Sequence, residues 1–99
     1  MEQNKERQKF EDGVIPIGKK PTEFYIVIVY KELCRRNELK LISRGDYGVM
    51  KVLSILTDLL SGKVVKLENN QVVIDFIETT NERGQSVMLP NIKVDIKRI

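Results

Sequence analysis

The chain has 99 residues, 41% of them hydrophobic and 31% charged, with a net charge of +3. That suits one small domain with much of its surface exposed, which a homodimer would reduce. No histidine and a single cysteine, Cys34, exclude an intramolecular disulfide, imidazole acid–base chemistry and a Cys/His metal site. The modest positive excess permits a polyanionic partner without requiring one.

Residues 1–12 are polar, with Phe10 as their one aromatic, and carry more acids than bases. They are expected to form an N-terminal tail, or a short helix docked through Phe10. Their polarity lacks the apolar centre of a signal peptide, and no apolar run approaches ~18 residues. A soluble, intracellular protein without a membrane partner is therefore expected. Residues 13–99 form the domain and hold the net positive charge.

Val14 to Ile17 reads as a short strand, and Pro16 within it suits a sheet edge or a strand end. The stretch Ile17-Gly18-Lys19-Lys20-Pro21 follows. Proline is favoured at the first position of a helix, and helix starts attract anions. Gly18 leaves room for close approach and two adjacent lysines supply charge. The bland alternative is a solvated turn.

Residues 22–36 are locally ambiguous, since Phe24 to Tyr30 has strong strand propensity. The length without a turn residue, the spacing of Ile26, Val29, Tyr30 and Leu33, and the closing Arg35-Arg36 favour a helix. Cys34 lies in this apolar pattern and is expected to be a buried small hydrophobe. Glu38 to Ser43 is the second strand, parallel to the first by a right-handed crossover. Arg44-Gly45-Asp46-Tyr47-Gly48 reads as a loop. Ligands gather at the carboxyl ends of parallel strands, so this loop and the lysine turn should be neighbours. Lys19, Lys20 and Arg44 are thus expected on one edge, with Lys51 nearby.

The second helix is expected from Val49, with Val49, Val52, Leu53, Leu56, Leu59 and Leu60 as its apolar stripe. It ends at Gly62 or runs on towards Leu67. Otherwise Val64 to Glu68 adds extended structure, and Asn69-Asn70 marks a turn. Gln71 to Thr80 and Val87 to Arg98 alternate as the arms of a long hairpin, with residues 81–85 as its polar tip. Pro90 points to an edge position or a bulge.

The order β-α-β-α-β-β, the Ile17-Gly18-Lys19-Lys20-Pro21 turn, Arg44-Gly45 after the second strand, Lys51, and Arg83-Gly84-Gln85-Ser86 at the hairpin together resemble the Alba family of small archaeal nucleic-acid-binding proteins. The resemblance spans residues 13–99. It implies an α+β fold: a four-stranded mixed sheet, two helices on one face and a long terminal hairpin. It also implies a homodimer, or a heterodimer with a paralogue, that binds double-stranded DNA and RNA largely without sequence preference in the chromatin or nucleoid. No cofactor, metal or catalytic role is implied, and Lys19 matches a position acetylated in some members.

The candidate nucleic-acid contacts are Lys19, Lys20, Arg44, Lys51 and Arg83. Tyr47 is a further candidate, as a stacking platform for a base or ribose, against packing on the first helix. Arg44 has a competing role as an ion-pair partner of Asp46. Two other functions remain open: a ribonucleoprotein subunit or RNA chaperone, and a protein–protein adaptor. Asp46 and Glu82 within the expected basic surface favour the adaptor.

Overall fold

The computed structural model describes residues 12–99; the N-terminal tail expected over 1–12 lies, but for Asp12, outside them. The elements are β1 (Val14–Pro16), α1 (Thr22–Leu33), β2 (Glu38–Arg44), α2 (Gly45–Ser61), β3 (Val65–Thr80) and β4 (Ser86–Arg98). One sheet has the order β1-β2-β4-β3, with β1 parallel to β2 and the other pairs antiparallel. This is the expected four-stranded mixed sheet, and Pro16 sits at the end of an edge strand.

Both helices cover one face of the sheet. Leu39 and Leu41 of β2 and Ile92, Val94 and Ile96 of β4 are buried there, against Tyr25, Val29 and Leu33 of α1 and Val52, Ile55, Leu56 and Leu59 of α2. Side chains alternate along a strand, so the intervening residues occupy the opposite face. That face is charged in register: Lys40 lies opposite Asp95 with a 3.0 Å ion pair, and Glu38 opposite Lys97 at 3.7 Å. These partly exposed pairs favour the register more than they add stability.

The stretch from Phe24 to Tyr30 is helical despite its strand propensity, because Tyr25, Val29 and Leu33 place one apolar stripe on the sheet. Tyr30, expected inside, is 43% exposed. Cys34 is exposed, contrary to expectation. The helix ends at Leu33, so the residue after it leaves the buried stripe as the chain turns away.

A second correction concerns Arg44–Gly48, which is not a loop. Arg44 ends β2 and α2 starts at Gly45, placing Asp46 and Tyr47 in the helix's first turn. Gly45 adopts φ +88°, a backbone angle that L side chains resist, and this compresses the strand-to-helix reversal to one residue. Gly48 then lets the helix approach β2. A Cβ there would overlap the Ser43 hydroxyl and come within 3.0 Å of the Ser43 Cβ.

The stripe on α2 is Val49, Val52, Ile55, Leu56 and Leu59; Leu53 and Leu60, expected inside, are each 38% exposed. The helix stops at Ser61, with Gly62 as its C-cap, and does not run towards Leu67. Gly62 itself is right-handed, and Lys63, at φ 60°, makes the left-handed turn into β3.

Asn69-Asn70 does not reverse the chain either. Both residues are left-handed, at φ 60° and 53°, inside the single long strand β3. Asparagine is among the few L residues that tolerate this region. Between Leu67, opposite Ile96, and Val72, opposite Val94, β3 holds more residues than β4, which makes a bulge. Odd-numbered Val65 and Leu67 face the helices before it, and even-numbered Val72, Ile74 and Phe76 after it. Pairing of β2 with β4 ends at Asn91, so Pro90 lies where β4 has only β3 beside it. The hairpin arms match the expected ones, beginning earlier at Val65 and Ser86.

Candidate nucleic-acid interface

The carboxyl ends of β1 and β2 bring two helix starts to one edge. Short bonds fix the junction: the Ile17 N–H donates to the Ile42 carbonyl at 2.8 Å, and the Ser43 hydroxyl donates to the Ile17 carbonyl at 2.6 Å. Tyr25, buried in α1, accepts the N–H groups of Gly18 at 2.8 Å and Lys20 at 3.3 Å on its hydroxyl. A buried tyrosine hydroxyl needs partners, and here they are the backbone of the lysine turn. That turn is thus held against the core while Lys19 and Lys20 remain exposed.

Pro21 and Arg44 are the N-caps of α1 and α2, and neither helix start has a side-chain cap. Their first N–H groups and the positive ends of both dipoles lie at this edge. Lys51, one turn beyond Tyr47, donates from Nζ to the Lys20 carbonyl at 2.5 Å, so α2 delivers its ammonium group to the lysine turn. The Lys51 Nζ also lies 5.9 Å from the Tyr47 ring centre, and the Lys20 Nζ 5.4 Å from that of Phe24.

Among the described residues, the ion pairs belong to Arg35, Arg36, Lys40 and Lys97. No carboxylate of these residues pairs with Lys19, Lys20, Lys51, Arg44 or Arg83, and Asp46 does not take the Arg44 guanidinium. Three ammonium groups that pair with no described carboxylate, beside two helix starts without side-chain caps, make a surface suited to phosphate oxygens.

Solved structures share this architecture. Alba from Thermoplasma volcanium superposes with a TM-score of 0.70 at 25% identity, covering 86% of this chain and 99% of that one. ALBA1 from Trypanosoma brucei gives a TM-score of 0.69 at 12% identity, covering 91% of this chain and 72% of that one. The chain has the Alba fold. No protein-family model and no curated protein sequence matches it.

Within this Alba fold the candidate side chains fall into three places. Lys19, Lys20, Lys51 and Tyr47 share the edge just described. Arg44 ends β2 at the same edge, but alternation from Leu41 puts it with Lys40 and Ile42 on the helix-free face, in a cleft with Pro16 and Asn91. Arg83 stands apart at the hairpin tip. There Asn81 Oδ1 accepts the N–H groups of Arg83 and Gln85, each at 2.9 Å, and shapes the turn. Tyr47 does not pack on α1; it is 82% exposed.

Three contributors escaped the sequence reading. Tyr25 and Ser43 position the two junctions, and Phe24 supplies an exposed ring beside Lys20. Tyr25 had one usable signal, a phenol on the apolar stripe of a helix, whose hydroxyl must find a partner. Ser43 bonds across 26 positions of sequence, and local pattern carries no trace of that.

Proposed function

We propose that this protein is a dimeric, largely sequence-independent DNA- and RNA-binding protein of the chromatin or nucleoid type. The observation that carries this reading is the Lys19–Lys20–Lys51 group at an edge where two helices begin, on an Alba fold; none of the three pairs with a described carboxylate, although Glu23 and Asp46 lie in the first turns of the two helices. Lysines reach phosphates as point charges, which fixes position on a backbone without reading bases. Arg44 and Arg83 extend the contact around the sheet edge and along the hairpin.

Dimerisation is supported by the apolar surface left outside the core. Met50, Leu53 and Leu60 of α2 are exposed, as are Val72, Ile74 and Phe76 on the helix-side face of β3. α2 packs against both strands of the hairpin, so these side chains border one another's elements. Exposed apolar side chains gathered on one face are a common mark of a protein–protein contact. Two copies would set two lysine edges and two arms along one nucleic acid. Acetylation of the exposed Lys19 would remove one of these charges and weaken the grip.

Filter retention of mixed-sequence duplex DNA and RNA across a salt series tests the reading. With ~6–10 phosphates neutralised per dimer, affinity should fall about 10³- to 10⁵-fold between ~50 and ~200 mM salt. No retention at the lower concentration would rule the proposal out and favour an adaptor role.

A further inference from the structure

We infer that Tyr47 is a stacking site for unpaired nucleobases, so that this edge distinguishes single-stranded from duplex nucleic acid. The inference rests on the nucleic-acid reading above and adds a ligand class to the same edge.

Tyr47 is the most exposed large hydrophobic side chain described, at 82%, and contributes almost nothing to the core. Its ring is flanked on one side by the Lys51 Nζ at 5.9 Å. Lys51 is tied in turn to the Lys20 carbonyl, and the Lys20 Nζ lies 5.4 Å from the ring of Phe24, which is 44% exposed. Phe24 is braced edge-on against the buried Tyr25, with ring centres 5.3 Å apart and planes at 86°. Each ring thus has a lysine ammonium beside it, and the two lysines are joined through the Lys51 bond to the Lys20 carbonyl.

A nucleotide is also an anion joined to an aromatic face. The ammonium groups meet the phosphates of any strand, paired or not. The rings act differently, because a base inside a duplex already has both faces covered by its neighbours. Only a splayed or single-stranded base has a face free for Tyr47. Lys51 fixes the ring's surroundings and leaves its outer side open. DNA and RNA offer the same π-face, so stacking alone should not separate them.

The test compares the full-length wild type with Tyr47→Ala and Tyr47→Phe. The probes are oligouridylate, oligothymidylate and a blunt duplex of matched phosphate count, at ~50 mM salt. Tyr47→Ala should lose roughly 5- to 150-fold on both single strands, the range for one base–aromatic stack. Its loss on the duplex should be clearly smaller, because a paired base has no free face for the ring, and Tyr47→Phe should keep single-strand affinity. A loss confined to oligouridylate and shared by Tyr47→Phe would replace stacking by a hydroxyl contact to ribose and overturn the inference. So would equal losses on duplex and single strands, undiminished single-strand binding by Tyr47→Ala, or a changed sedimentation coefficient, which would put the ring in a protein interface. Failure of the wild type to bind any probe would instead remove the nucleic-acid reading, and this inference with it.

Discussion

Replacing Lys19 and Lys20 together by alanine should flatten the salt dependence of binding by a calculable amount. Both side chains are exposed and lack described ion-pair partners, so their removal leaves no stranded acid. Lys51 stays anchored, because its acceptor is the Lys20 carbonyl and not the side chain. The lost contact between Lys20 and Phe24 is exposed and worth only ~0.5–1 kcal/mol. In a dimer the double substitution removes four ammonium groups. Each phosphate contact contributes about 0.9 to the slope of log affinity against log salt, so the slope should become shallower by about 3 to 4. Across a fourfold rise in salt, that makes the variant's fall in affinity about a hundredfold smaller than the wild type's. Filter retention or fluorescence anisotropy at several salt concentrations reads the slope directly, with circular dichroism as a check on folding. The loss should be equal for duplexes of different sequence. An unchanged slope would show that these ammonium groups do not meet phosphates, and a loss confined to one sequence would point to base recognition.

Two further substitutions examine the frame around the site. Gly48→Ala should destabilise the protein by about 1–3 kcal/mol, because the added methyl displaces the Ser43 hydroxyl from the Ile17 carbonyl. An uncrowded helix position would instead gain up to ~1 kcal/mol from this change, so the direction of the shift in thermal midpoint decides. Ile74→Asp should convert the dimer to a monomer in analytical ultracentrifugation, since it puts a charge into the exposed apolar strip of β3; a persisting dimer would mean that another surface mediates association.

Much of the architecture was legible because its signals are local. Pro21 opens α1, the two parallel strands require a crossover, and alternating residues mark the hairpin arms. The errors share a physical origin. Gly45, Asp46 and Gly48 have the composition of a loop, yet Gly45 needs only itself to turn the chain, and Gly48 serves close packing. The apolar period of α2 was clear, but period alone does not say which flank of the stripe the sheet covers. Ile55 is fully buried while Leu53 and Leu60 are left at the rim. For the site, topology correctly made the two junctions neighbours. The parity of β2, which carries Arg44 to the other face, depends on the burial of Leu39 and Leu41 and could have been drawn from that alternation.

The asparagine pair carries the largest consequence. A turn and a bulge ask for the same residue types, because both need left-handed backbone. They differ only in whether the flanking segments pair with each other or with a common neighbour, and here both flanks pair with β4. The bulge changes the inward set of β3 from odd to even numbers. With an unbroken register, Val72, Ile74 and Phe76 would stand among Lys40, Asp95 and Lys97, on the charged face. As built, the arm continues the apolar layer begun by the helices, and the other side carries Asp75 and Lys93 together with Val73, Ile77 and Leu89. Two left-handed residues thus decide which side of the arm seeks a partner. The proposed dimer surface depends on this change of parity as much as on the hydrophobic side chains that form it.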